Sequence, residues 1–187
     1  MKKYNFKIKI IFMILFPTML NTLISKPRTV NNKITELNSF NPKKNGIVKI
    51  YYDNGKIKNE TPWSNDLKNG IEKAYYENGK ISMWIPWTNS TKNGIEMFFE
   101  KNGKIRSEIT WKHGTKNGIE KNYFEKNGLP KHEVYWIDGK KNGFERFFHQ
   151  NGKIKTETVW INGIMNGSIL HYSEKGFLEG EISISTH

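Results

Sequence analysis

The chain is expected to be all-β: an elongated array of about six antiparallel β-hairpins forming one twisted sheet, preceded by an N-terminal signal or anchor helix. Three observations point there. A unit of about 24 residues recurs from Lys44 onward, Gly-centred turn signals fall twice in each unit, and the runs between them alternate with a period of two.

The repeat is marked by Lys-Asn-Gly at 44–46, 68–70, 92–94, 116–118 and 141–143, with Met165-Asn166-Gly167 closing the series; successive spacings are 24, 24, 24, 25 and 24. A second signal follows nine or ten residues later, at Asn54-Gly55, Asn78-Gly79, Asn102-Gly103, Asn127-Gly128, Asn151-Gly152 and Lys175-Gly176. Trp63, Trp87, Trp111, Trp136 and Trp160 keep the same phase. Two turns per unit leave two runs of seven or eight residues, the length of a strand.

Within a unit the register depends on the loop. A three-residue loop Asp53-Asn54-Gly55, with the glycine in a left-handed bulge, pairs Tyr51 with Ile57 and Ile47 with Thr61. Tyr51, Ile47, Ile57 and Trp63 then share one face, whereas a two-residue Asn-Gly turn would divide them. Burial favours the longer loop. The fourth unit carries one residue more near Glu125-Lys126, and Pro130 in place of Ile, so its hairpin is expected to be irregular.

Residues 1–25 have the order of a secretory signal peptide. Lys2, Lys3, Lys7 and Lys9 precede an apolar run at 10–20, which is shorter than the ~18 residues of a spanning helix. No small-x-small cleavage site stands near Ser25, so an uncleaved membrane anchor over residues 8–24 is the other reading. The protein is therefore expected in the periplasm, at the cell surface or outside the cell. Residues 26–43 form a linker and N-terminal cap, and 44–187 the array.

Composition narrows the function. The chain has no cysteine, which excludes disulfides, thiol catalysis, Cys-ligated metals and a lipoprotein anchor. Its net charge is +12, and loss of the four leader lysines brings it to +8, enough to favour anionic partners without identifying one. No phosphate-binding loop, kinase signature or nucleophile elbow occurs, and the five histidines fall at unrelated phases of the repeat. No catalytic residue, metal ligand or cofactor is expected. The glutamates are the one constellation to weigh: this register sets Glu96 opposite Glu108 and Glu145 opposite Glu157. The position recurs along the array at Glu60, Glu72, Glu120, Glu133 and Glu181, which suits a solvated scaffold face relieved by Lys58, Lys73, Arg106 or Arg146, since an active site is single.

Two candidate surfaces remain. Tyr51, Trp63, Tyr75, Trp87, Phe99, Trp111, Phe124, Trp136, Phe148, Trp160 and Tyr172 form an aromatic stripe that a single-layer sheet leaves open for a protein partner or a second copy. Lys44, Lys68, Lys92, Lys116 and Lys141 line one edge, and Lys56, Lys80, Lys104 and Lys153 the other; lysines roughly 10 Å apart suit an anionic envelope or lipid surface. Nucleic acid ranks last, because export removes the protein from it.

The unit starting at Gly70, Gly-Ile-Glu-Lys-x-Tyr-Tyr-x-Asn-Gly-Lys-Ile with Trp87 closing it, resembles the bacterial variant of the MORN repeat, as found in the YwqK-type family labelled toxin–antitoxin antitoxins. Trp84 departs from the pattern by replacing the repeat's glutamate. The resemblance covers about three quarters of the chain, residues 44–181. It implies successive hairpins in an elongated sheet and a non-enzymatic binding or scaffolding role, with an antitoxin or immunity role as the alternative. A phosphatidylinositol-phosphate kinase name would be inherited with such repeats without the kinase motifs.

Overall fold

A computed structural model describes residues 43–183. The signal or anchor segment, most of the linker and the last four residues lie outside the described residues.

Fourteen strands form one antiparallel sheet. They are β1 (Gly46–Tyr51), β2 (Ile57–Ser64), β3 (Leu67–Lys68), β4 (Gly70–Tyr75), β5 (Ile81–Thr88), β6 (Thr91–Lys92), β7 (Gly94–Phe99), β8 (Ile105–Lys112), β9 (Thr115–Tyr123), β10 (Pro130–Ile137), β11 (Lys140–Phe148), β12 (Ile154–Ile161), β13 (Ile164–Tyr172) and β14 (Leu178–Ser183). Neighbours in sequence are neighbours in the sheet, and β1 and β14 form its two edges. The fold class expected from the repeat is the one observed. β3 and β6 are short pieces divided from β4 and β7 at Asn69 and Asn93. The facing residues there are Pro62 and Pro86, which accept a bond from Asn69 and Asn93 (3.1 Å each) but have no N–H to return. Where Thr110, Tyr135 and Val159 take that place, β9, β11 and β13 run unbroken.

The three-residue loop is present. The Tyr52 amide donates to Lys56 O (2.8 Å), the Gly55 amide donates to Tyr52 O (2.9 Å), and Gly55 has φ +80°. Asn54 Oδ1 accepts from the Lys56 amide at 3.0 Å, a bond that Asn78, Asn102 and Asn151 repeat. In the fourth unit the extra residue lengthens the loop to 125–128, closed by Gly128 N–H to Phe124 O.

Two expectations fail, for one geometrical reason each. The chain does not reverse at Lys-Asn-Gly. It reverses earlier, at Asn65-Asp66, Asn89-Ser90, His113-Gly114, Asp138-Gly139 and Asn162-Gly163, where both residues of each pair have positive φ, as a type I′ turn requires. The Lys-Asn-Gly glycine instead bends the strand beside its neighbour.

The register also differs. Tyr51 pairs with Ile57 as expected, but Ile50 pairs with Asn59, leaving Lys58 as an extra residue in a β-bulge. Ile47 therefore faces Pro62, not Thr61. The same bulge recurs at Ser82, Arg106, Lys131, Lys155 and Glu179, so all six hairpins carry it. One inserted residue moves everything beyond it to the other face. Trp63 and Tyr51 thus lie on opposite faces, and the aromatic stripe is two stripes. For the same reason Glu96 faces Ile109 and Glu145 faces Thr158, while Glu108 faces Met97 and Glu157 faces Arg146. The expected carboxylate pairs do not form.

The bend glycines can be tested individually. Gly94 has φ +118°, and a Cβ there would lie 3.0 Å from Pro86 Cγ, whereas Gly167 has φ +90° with nothing within 4 Å. Gly94→Ala is expected to cost about 2–3 kcal/mol and Gly167→Ala about 1 kcal/mol, measured by urea unfolding.

Candidate functional site

All seven buried residues among those described, Thr61, Glu72, Ile85, Glu96, Val134, Glu145 and Thr158, fall on the tryptophan face. Among the described residues no second layer covers it, so the face is closed by its own side chains. The unit responsible is Lys-x-x-x-Glu, on one strand or on two successive pieces of it, with Trp on the next long strand. Lys92 Nζ lies 2.6 Å from Glu96 Oε1 and 4.6 Å from the Trp111 ring centroid, and Trp111 Nε1 donates to Glu96 Oε2 at 2.8 Å. Glu96 is 2% exposed. Lys68, Glu72 and Trp87 repeat the arrangement, as do Lys141, Glu145 and Trp160.

The preceding hairpin contributes too. Asn59 Nδ2 (3.3 Å) and Thr61 Oγ1 (3.2 Å) donate to Glu72, and His132 Nε2 lies 2.9 Å from Glu145 Oε1. Burial alone would raise the carboxyl pKa of Glu72; the bonds and charge of Lys68, with Asn59 and Trp87, outweigh it and hold the group below its ordinary 4.5. Glu145 is likewise held low against its burial, by Lys141 and His132. The scaffold reading of the glutamates thus holds for a different geometry: these three are buried acceptors, not a solvated row.

Three units break the pattern, the sixth because Met165 and Ile169 replace the lysine and glutamate and it has no tryptophan. Val48 replaces the glutamate in the first, so Lys44 lies over the Trp63 ring at 3.9 Å with no carboxylate between them. In the fourth, Lys116 bonds Glu120 at 2.6 Å, but Trp136 makes no bond to that carboxylate although it faces Gly118 in the register Trp111 keeps with Gly94. Trp63 Nε1 and Trp136 Nε1 are buried without a partner among the described residues.

The candidate lysines are placed as follows. Lys44, Lys68, Lys92, Lys116 and Lys141 all lie over tryptophans, and the last four also bond glutamates. At the other edge Lys56 donates to Glu77 O, Lys80 to Asn102 O, Lys104 to Lys126 O and Lys153 to Lys175 O, each joining one loop to the next. Both rows engage their ammonium groups within the chain.

The other face carries Tyr51, Tyr75, Phe99, Phe148 and Tyr172 from the candidate aromatic set. Phe124 opens the fourth loop, in the place of Tyr52; the residue in phase with Tyr75 is Tyr123, which the sequence reading missed because of the extra residue. Tyr75 Oη donates to Glu60 (2.7 Å) and Tyr123 Oη to Glu108 (3.1 Å). Burial and then the neighbouring carboxylate push each phenol up to about 12. Lys49 pairs with Glu60, Lys121 with Glu133 and Arg146 with Glu157, so this charged row is also largely neutralised.

Beside it runs an apolar row. Ile47, Ile71, Ile95, Ile119 and Phe144 alternate across the sheet with Pro62, Pro86, Thr110, Tyr135 and Val159. Ile47 is 63% and Phe144 48% exposed, and the three isoleucines between them are exposed as well. At Tyr135 and Phe144 the row opens into a shallow cleft of about 240 Å³ that also touches Arg146. The Lys-Asn-Gly-Ile run held this signal, hidden by assigning its isoleucine to the tryptophan side.

Two outcomes follow for the network. Glu96→Ala leaves Lys92 and Trp111 without their acceptor and should cost about 3 kcal/mol, while Glu157→Ala should cost at most about 1 kcal/mol, by chemical denaturation. The lowered carboxyls of Glu72 and Glu145 contribute stability present above their unfolded value of 4.5 and lost as pH falls through the lower folded values. The urea midpoint should therefore drop on acidification below that value.

Residues 44–65, 68–83, 92–113 and 141–162 match the MORN repeat variant. Each match begins at a Lys-Asn-Gly lysine and contains the three-residue loop or its bulge. The units at 116, with its longer loop, and at 165, with Met for Lys, are the two without a match. No curated protein matches the chain. Repeats of this kind commonly serve as binding and scaffolding modules, and the four matched segments support a MORN-repeat protein.

Proposed function

We propose that this is an exported, non-catalytic binding module whose working surface is the tyrosine face. The observation that carries the reading is the exposed apolar row from Ile47 to Phe144, contiguous across the sheet and flanked by charges already paired with one another. An open apolar surface of that extent marks an interaction site. On the tryptophan face the lysine, glutamate and indole groups of three units already satisfy one another, so that face offers a partner less.

A protein partner is favoured over an anionic lipid surface. The nine candidate lysines already hold carboxylates, indole rings or loop carbonyls, so binding phosphates through them would require breaking contacts within the array. Export is supported by the basic leader and apolar run before residue 26.

The test is photo-crosslinking in the producing cells, with the crosslinker at position 95 on the tyrosine face or at position 98 on the tryptophan face. A discrete protein adduct from position 95 and none from 98 is expected, lost when Phe144→Asp is added. Adducts from 98 alone, or none from either, would sink the assignment of the face. A small protein encoded by the adjacent gene as the adduct would make the function that of an antitoxin or immunity protein. Salt-sensitive binding to anionic vesicles, unaffected by Ile95→Asp, would return the role to the lysine rows.

A further inference from the structure

The two edges of the sheet have complementary sequences. At each internal seam, where one hairpin meets the next, one residue pair stands on the tyrosine face at the same height. Those pairs are Glu60 with Lys73, Trp84 with Met97, Glu108 with Lys121, Glu133 with Arg146, and Glu157 with Leu170. Three of the five are acid against base, always with the acid on the earlier strand. The residue at this height on β14 is Glu181, opposite Leu170 within its hairpin, and on β1 it is Lys49, opposite Glu60. The final strand thus ends in the acid and the first strand begins with the base of a seam that is not made among the described residues.

Neighbouring positions agree. Across the interior seams Tyr75 donates to Glu60 and Tyr123 to Glu108. Tyr51 holds the same place on β1 and is 40% exposed, with no carboxylate bonded to it among the described residues. One residue further along, on the tryptophan face, interior seams set Thr61 against Glu72, Ile109 against Glu120 and Val134 against Glu145. The terminal equivalents are Ile182 and Val48, two apolar side chains, and Ile182 is 54% exposed. β1 and β14 each have six residues.

We propose that β14 of one molecule pairs antiparallel with β1 of a second copy, Glu181 opposite Lys49 and Ile182 against Val48, so that the sheet continues from molecule to molecule. Such an interface is heterologous: each molecule keeps one edge open, and assembly proceeds to short linear chains instead of stopping at a dimer. Backbone hydrogen bonds supply the attraction common to any two strand edges, and the charge pair fixes the register.

Sedimentation of the full chain over a wide concentration range tests this. The weight-average mass should rise continuously with concentration. Glu181→Lys places lysine against Lys49 at the junction and should weaken association by about tenfold or more. Lys49→Glu should do the same, with circular dichroism checking that β1 is retained after loss of its bond to Glu60. A one-to-one mixture of the two variants makes every junction complementary again and should restore the chains. A monomer at all concentrations, a dimer that does not grow, or association unchanged by Glu181→Lys would overturn the proposal.

Discussion

A one-layer sheet has no opposing layer to bury its side chains against, and the rest of this structure depends on how that constraint is met. Glu96 reaches 2% exposure only because the Trp111 ring and the Lys92 stem lie across the sheet over it. The arrangement solves two problems together. Large apolar surface leaves water, and the indole N–H and the ammonium, which would otherwise be dragged into that surface unpaired, both find the same carboxylate. Lysine and glutamate come from one strand, tryptophan from the next, and Asn59 or His132 from the hairpin before. The Glu72 and Glu145 networks therefore tie both the hairpin and the seam, which is one way a quasi-one-dimensional array holds together through nearest neighbours.

The exceptions show what the network needs. Losing the glutamate at Val48 leaves the Trp63 indole nitrogen buried without a partner, and in the fourth unit the Trp136 nitrogen is unpartnered even with Glu120 in place. Where the fourth and fifth units meet, the apolar row on the other face is most altered, with Tyr135 and Phe144 forming the cleft. The extra loop residue itself is absorbed by the loop, since Trp136 faces Gly118 and Val134 faces Glu120 in the register of the other units.

Much of the fold was legible because it is carried by local signals. The 24-residue spacing gave the array, and Asp53-Asn54-Gly55 gave the loop, since Asn at its centre and Gly at φ +80° suit that turn and few others. The faces were not legible. Lys58, Ser82, Arg106, Lys131, Lys155 and Glu179 share the bulge position but no side-chain chemistry, so nothing in their types announces an extra residue. With that residue unseen, period-two counting carries Tyr51 and Trp63 to one face and Glu96 opposite Glu108. The type I′ turns were missed similarly: Asn65-Asp66 and Asn89-Ser90 have no glycine, and the Lys-Asn-Gly beside them supplied a more conspicuous but misplaced signal.

The bulge is also what gives the protein two different surfaces. Without it, tryptophans, tyrosines and isoleucines would crowd one side, leaving the other wholly charged, and that side would have to be covered for the chain to stay in solution. With it, the tryptophans go to a face that the chain closes by itself, and the isoleucines go to one it leaves open. At two strands per repeat, the five positions from Ile47 to Phe144 span roughly 40 Å. A compact pocket ligand would touch one or two of them, so the row suits a partner that is itself extended or flat. If copies join edge to edge, Phe144 of one molecule and Ile47 of the next fall on one continuing line, and the length of the binding surface becomes a property of the assembly.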